Sequence, residues 1–158
     1  MDELMPVSIE DASIRHLDKL YEIEIECFKD EAFTKQQIAK LLKGYNSVSL
    51  IAKEDGEIIG FVIGLLYFEG KGLTGHILTL NVSPDYRRKG VGVKLLEAIE
   101  KIFRDRGVTK CCLEVREDNV AALNLYRKLG YKKAGRLEGY YKNAHGIFFE
   151  KSLVEYFI

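Results

Sequence analysis

The feature that most constrains this chain is an unbroken succession of strand, basic turn and helix between His76 and Phe103. His76 to Val82 reads as a β-strand. After Ser83-Pro84 the apolar period changes: Val91, Leu95, Leu96, Ile99, Ile102 and Phe103 recur at helical spacing, and Gly107 sits where a helix C-cap glycine belongs. Between strand and helix runs Arg87-Arg88-Lys89-Gly90-Val91-Gly92-Val93-Lys94. The two glycines let the backbone approach a ligand closely, and a helix N-terminus offers unpaired N–H groups with the positive end of its dipole. Bases at that end oppose the usual preference for acids, a conflict that a bound phosphate resolves. A plain tight turn with solvated charges is the rival reading. A dinucleotide fingerprint is not, because Leu95 stands where the third glycine belongs, and no Walker sequence is present.

Around this segment the other elements can be placed. Val7 to Ile9 reads as a short strand. Ile14 to Phe28 reads as an amphipathic helix with Ile14, Leu17, Leu20, Tyr21, Ile25 and Phe28 on its apolar face and acids opposite. Thr34 with Gln37 forms a capping box for a second helix through Leu42, which Gly44 can end. Val48 to Lys53 and Ile58 to Tyr67 flank Asp55-Gly56, a hairpin signal, and Gly70, Gly72 and Gly75 punctuate a loop before His76. Cys111 to Val115 is β-like, Asn119 to Leu129 is helical and stopped by Gly130, and Lys132 to Tyr141 with Gly146 to Leu153 closes as a strand pair. The order β-αα-βββ-α-β-α-ββ predicts one α/β domain over residues 1–158 with a mixed sheet of about seven strands.

Composition narrows the function. The 24 Lys plus Arg balance 24 Asp plus Glu, which excludes a polyanion-binding surface spread over the chain, so no nucleic acid or membrane partner is expected. The balance is local in origin, because residues 1–31 carry a net −7 and residues 84–136 a net +7. The longest uncharged apolar run, Ile58 to Phe68, is about half the length a membrane helix needs. Asp2 and Glu3, with no apolar stretch after them, do not read as a secretory signal. Cys27, Cys111 and Cys112 lack metal-type spacing, so no metal is expected, and the adjacent Cys111-Cys112 pair on an apolar segment reads as core packing. The expected setting is the cytoplasm.

The string Arg87-x-x-Gly90-x-Gly92 following a strand resembles the pyrophosphate-binding motif of the GCN5-related N-acetyltransferase (GNAT) superfamily. A second set, Leu113-Glu114-Val115-Arg116, Asn119, Ala121-Ala122, Leu125-Tyr126, Leu129-Gly130-Tyr131 and Gly139-Tyr140-Tyr141, resembles the RimI-type ribosomal-protein-alanine branch and its archaeal and eukaryotic N-terminal acetyltransferase relatives. That resemblance implies a GNAT fold whose strands His76 to Val82 and Cys111 to Val115 are parallel and splay around acetyl-CoA. The pantetheine arm would pair with backbone near Leu80 and Val82, and N–H groups from Arg88 to Val93 would hold the pyrophosphate. Arg87, Lys89 and Lys94 add charge there, and Asn119 would bond the arm.

The reaction implied is acetyl transfer to a protein or peptide α-amino group by direct attack in a ternary complex. An α-amino group has a pKa near ~8, so about one unit separates it from its neutral form at pH 7, and a modest base suffices. Glu114, in the RimI base position, is the first candidate and His76 the second. Tyr126 is the candidate acid for the leaving thiolate. Each has a structural rival: Glu114 paired to Arg116 or a lysine, His76 a loop-end residue, Tyr126 a core aromatic, Asn119 a helix cap. Phe28, Phe33, Tyr140 and Tyr141 are candidate walls for the acceptor. The RimI Phe-Pro-Trp-Ser segment is replaced by Phe28-Lys29-Asp30-Glu31-Ala32-Phe33-Thr34, so acceptor preference is not carried over. A small amine or lysine acceptor, and a CoA-binding module without turnover, are the alternatives. An auxiliary subunit or homodimer stays open.

Overall fold

The computed structural model describes residues 6–154, so Asp2 and Glu3 of the N-terminal reading lie outside the described residues. The elements are β1 (Ser8–Asp11), α1 (Leu17–Phe28), α2 (Lys35–Lys43), β2 (Ser47–Glu54), β3 (Glu57–Glu69), β4 (Gly72–Val82), α3 (Val91–Asp105), β5 (Val108–Arg116), α4 (Val120–Lys128), β6 (Lys132–Tyr141) and β7 (Ala144–Ser152). This is the order expected from the sequence. The seven strands form one sheet in the order β1-β2-β3-β4-β5-β7-β6, with β4 and β5 parallel and the pairs β1–β2, β5–β7 and β6–β7 antiparallel. Among the described residues no helix is long and apolar enough to cross a membrane.

Local chemistry sets the boundaries. The Gln37 N–H donates to Thr34 Oγ1 at 3.1 Å while the Thr34 N–H donates to Gln37 Oε1 at 2.8 Å, the reciprocal capping box that starts α2. Asp55 and Gly56 have φ of 51° and 78°, the left-handed pair that a two-residue hairpin between β2 and β3 demands.

Two expectations need correcting. In α1 the buried residues are Leu20, Ile23 and Glu24, whereas Ile14 and Ile25 are exposed; the inward stripe follows i, i+3, i+4 from Leu20 and includes an acid. Gly72 and Gly75 belong to β4 rather than to the loop before it. A Cβ at Gly75 would stand 2.6 Å from the Phe103 ring, so this glycine admits an aromatic side chain against the strand.

The described residues group into two compact units, the first within Met1–Gly64 and Thr79–Ile99, the second within Leu65–Leu78 and Glu100–Ile158. In the first, Leu20, Ile23, Ile38, Ile51, Phe61 and Ile63 form a fully buried cluster, with Leu17, Cys27, Phe33 and Leu41 packed on it. Burying each such side chain contributes roughly 1.5–3 kcal/mol, which fixes α1 and α2 on β2 and β3 far more firmly than helix propensity could. In the second, β5 pairs β7 from Lys110↔Ser152 to Arg116↔Gly146 and β6 lies outside β7. A buried polar network fixes this unit: Tyr131 Oη donates to Glu100 Oε2 at 2.7 Å and Lys151 Nζ to Glu100 Oε1 at 2.8 Å. Cys111 and Cys112 are buried free thiols, as packing residues should be, and burial pushes the Cys111 thiol up to about 12.

Gly60 gives a test of the first unit, since a Cβ there would lie 2.5 Å from the Asn81 carbonyl oxygen and 3.3 Å from Leu95 Cδ1. Gly60→Ala is expected to cost about 2–3 kcal/mol in a denaturant titration, as overpacking does. Gly135→Ala, where a Cβ meets nothing within 4 Å, is the control and should shift stability by under ~0.5 kcal/mol.

Candidate active site

Strand alternation sorts the side chains of β4. His76, Leu78, Leu80 and Val82 are half-buried, while Ile77, Thr79 and Asn81 between them are buried. On β5 the half-buried Glu114 and Arg116 alternate with buried Leu113 and Val115. The parallel register sets His76 opposite Cys112 and Ile77 opposite Leu113, so Glu114 lies one pleat beyond the residue facing His76 and on the same side of the sheet. The result is a hydrogen bond of 2.7 Å between His76 Nε2 and Glu114 Oε2, with side chains 21% and 18% exposed. Both groups are sheltered and still reachable. The loop-end reading of His76 is replaced by a mid-strand residue bonded to a carboxylate.

Tyr67 of β3 joins this pair, and nothing in its apolar strand marked it in the sequence. Its ring lies edge-on to His76 at 6.4 Å between centroids, and its hydroxyl is 3.9 Å from Cys112 Sγ. Burial, then the Cys112 thiol, push its phenol up to about 12, so it stays neutral through the physiological range. From β6, Tyr140 is 54% exposed and its phenol is raised by burial and by the Glu114 charge. Its ring meets Tyr141 edge-on at 4.9 Å, and the Arg116 guanidinium lies 5.6 Å over the Tyr141 ring. Arg116 is also bidentate on Asp118, at 2.9 Å for each bond. A separate cavity of about 390 Å³ at the β6–β7 hairpin is lined by residues that include Glu117, Asp118, Tyr141 and His145, and not by the His76–Glu114 pair.

Tyr126 sits elsewhere. It is buried on α4, edge-on to Tyr131 at 5.7 Å and 6.3 Å from Phe149, and Phe149 is the register partner of Leu113. It therefore packs on the Leu113 side of β5, whereas Glu114 occupies the other. Burial raises its phenol well above the ordinary value, which holds the proton on. Asn119 caps α4, its Oδ1 accepting from the Ala122 N–H at 3.1 Å, so its amide NH2 is the donor left for a ligand.

The basic turn is in the first unit and has the backbone that an anion cradle requires. Arg88 has φ of 66° and Gly90 of 78°. A non-glycine residue in the left-handed region is strained, a condition that collects at binding loops. The Lys94 N–H bonds the Gly90 carbonyl at 3.1 Å, so the N–H groups of Val91, Gly92 and Val93 precede the first helical hydrogen bond and point out of the α3 N-terminus. Arg87, Arg88, Lys89 and Lys94 are exposed around them. Arg87 is tethered by its Nε to the Val82 carbonyl at 3.1 Å, and Lys89 Nζ lies 5.4 Å over the Tyr86 ring. The arrangement fits a pyrophosphate. Phe28 and Phe33 are half-buried at the end of α1 and beyond it, Phe33 being packed on the first unit's core.

The family model described as Acetyltransferase (GNAT) family matches residues 17–131. The chain belongs to the GNAT acetyltransferase family. An N-alpha-acetyltransferase of Sulfurisphaera tokodaii is 32% identical over 116 residues, covering 68% of this chain and 70% of the relative. Among solved structures, Ard1 from Thermoplasma volcanium superposes with a TM-score of 0.85 at 25% identity, covering 94% of this chain and 99% of that one. The ribosomal-protein-S18-alanine N-acetyltransferase of Escherichia coli has the same fold, with a TM-score of 0.86 at 24% identity, covering 96% and 97% of the two chains. The chain is therefore an N-acetyltransferase, and its seven-stranded mixed sheet is that of the family.

The His76–Glu114 hydrogen bond makes a separable prediction. Glu114→Gln is expected to lower kcat by ~100-fold or more with acetyl-CoA affinity retained, as loss of a general base does. His76→Ala, which leaves the carboxylate in place and removes its donor, should cost about 10-fold. Steady-state kinetics with acetyl-CoA binding measured separately checks both.

Proposed function

We propose that this chain is a cytoplasmic Nα-acetyltransferase, acting as one catalytic domain, that moves the acetyl group of acetyl-CoA to the amino terminus of a protein or peptide. The observation that carries the reading is the sheltered His76–Glu114 pair on one side of the β4–β5 ladder. The relatives named as N-alpha-acetyltransferases support the choice of an α-amine. Acetyl-CoA supplies the activated thioester, and the chain's own groups do the rest.

The N–H groups of Val91, Gly92 and Val93 bind the pyrophosphate, with Arg88 and Lys94 balancing its charge. Backbone groups at Leu80 and Val82, further along β4 than the Leu73–Ile77 ladder to β5, pair with the pantetheine arm as an added strand would. His76 Nε2–H donates to Glu114 and holds the carboxylate in one orientation. Glu114 accepts the proton of the incoming ammonium directly or through one water, which exposes the amine lone pair for attack. The ammonium of an N-terminus is about one pKa unit above pH 7 and a lysine over three, roughly 1.4 against 4–5 kcal/mol, so this single carboxylate suits the former. Tyr126, protonated by burial, serves the leaving thiolate as hydrogen-bond donor. Full proton release from so desolvated a phenol to a thiolate, whose conjugate thiol has a pKa of ~8.5, is uphill. In the second unit Tyr140, close enough to feel the Glu114 charge, walls the acceptor with Tyr141, and in the first Phe28 and Phe33 are the wall candidates.

Incubation with acetyl-CoA and a library of peptides, read by mass, is expected to show acetylation at N-terminal amines. Products confined to polyamines or lysine side chains would reassign the acceptor, and tight CoA binding with no product would make the chain a binding module. The cradle adds its own expectation. The Kd for CoA should rise severalfold between low salt and ~0.5 M, where the Debye length falls to about 4 Å, and Gly92→Val should weaken CoA binding with the fold intact.

A further inference from the structure

Glu24 is the one carboxylate of α1 that faces inward, and it is 1% exposed. Each of its oxygens is used. Oε1 accepts from Thr79 Oγ1 at 2.7 Å and from Asn81 Nδ2 at 3.2 Å, both on the buried side of β4. Oε2 accepts from the backbone N–H of Phe33 at 3.1 Å. Asn81 also donates to Thr79 Oγ1 at 2.8 Å, so the donors are arranged in one direction toward an ionised carboxylate. Burial raises the Glu24 carboxyl and these donors oppose the shift. A buried carboxylate is a costly way to fill space beside a fully apolar cluster, and an apolar side chain of the same volume would pack there without that cost. What it supplies instead is a fixed link between two pieces of backbone.

Those two pieces carry the two substrates in the proposed reaction. Thr79 and Asn81 alternate with Leu80 and Val82, whose backbone receives the pantetheine arm. Phe33 ends the Lys29–Phe33 segment between α1 and α2, which departs from the RimI pattern and contains two of the proposed acceptor walls' neighbours, Asp30 and Glu31. Ala32 and Thr34 on either side of Phe33 make local hydrogen bonds, to Lys29 and to Gln37. We propose that Glu24 is a positioning residue for the acceptor: its carboxylate anchors the α1–α2 segment to β4 at Phe33 and so sets the acceptor wall relative to the acetyl-bearing strand. The proposal rests on the Nα-acetyltransferase reading for the identity of the acceptor, and on the hydrogen bonds alone for the anchoring.

Glu24→Asp keeps the charge and shortens the arm by one methylene, so the carboxylate can serve Thr79 and Asn81 or Phe33 but not both. Glu24→Gln keeps the reach. Its oxygen can take the Phe33 N–H while its NH2 meets Asn81 Oδ1, a buried acceptor without a hydrogen-bond partner that turning over the Asn81 amide would bring round. The expected result for Glu24→Asp is faster amide hydrogen exchange at Phe33 and an acceptor KM raised at least fivefold, with kcat and the acetyl-CoA KM within twofold. Glu24→Gln should return the acceptor KM to within twofold of the parent.

An unmoved acceptor KM in Glu24→Asp overturns the proposal, as does a change of all three constants in step, which a merely structural role would produce. Should Glu24→Asp fail to fold, the unaltered protein decides: a saturating acceptor peptide is expected to slow exchange at the Phe33 amide, and an unchanged rate overturns the proposal. If the unaltered protein acetylates no amine, it is the functional reading that fails, and exchange in Glu24→Asp still reports whether the carboxylate holds Phe33.

Discussion

The parallel ladder between β4 and β5 is the constraint on which the proposed chemistry depends. Its register brings an imidazole and a carboxylate from residues 38 apart in the chain into a 2.7 Å hydrogen bond. Side chains alternate with a period of two, so a slip of one residue in this pairing would send Glu114 to the side of Leu113 and leave His76 facing an apolar neighbour. The buried residues of both strands hold the register. Ile77, Cys111, Leu113 and Val115 are each 5% exposed or less, and exposing that set is the penalty for a slip.

In the proposed reaction, two different physical devices serve the phosphate and acetyl ends of acetyl-CoA. The phosphate end uses backbone, with a helix terminus and two left-handed residues, Arg88 and Gly90, and its electrostatics are long-range and sensitive to salt. The acetyl end uses side chains in a sheltered place, where a single hydrogen bond fixes orientation. The neutral overall charge is a sum of opposite parts, with the bases gathered from the basic turn onward and the acids around α1.

How much of this was legible in the sequence depended on whether a signal is local. The capping box of Thr34 and Gln37, the Asp55-Gly56 hairpin and the helix after Gly90 are written within a few residues and could be read off. Glu114 and His76 could be named as candidates, but their bond could not, because it arises from strand register. Tyr67 and Glu24 were missed for the same reason. Tyr67 closes an apolar strand and looks like packing. Glu24 lies on the inward stripe of α1 that starts at Leu20, but an acid among the acids of this helix reads as solvated, and the donors Thr79 and Asn81 that satisfy it lie 55 and 57 residues away. Gly75 read as loop punctuation because its reason for being glycine is the Phe103 ring.

The strand order also leaves β6 at one end of the sheet, ten residues long and mostly exposed. A long open edge is a template on which another chain can add a strand. Here that edge carries Lys132, Lys133 and Arg136, with Gly135 and Gly139 interrupting its regularity. Two copies meeting edge to edge would bring like charges together and lose the solvation of the lysines. The opposite end, β1, has only four residues and offers little to pair with. The same basic residues that make the second half of the chain electropositive thus disfavour pairing of two copies along this edge.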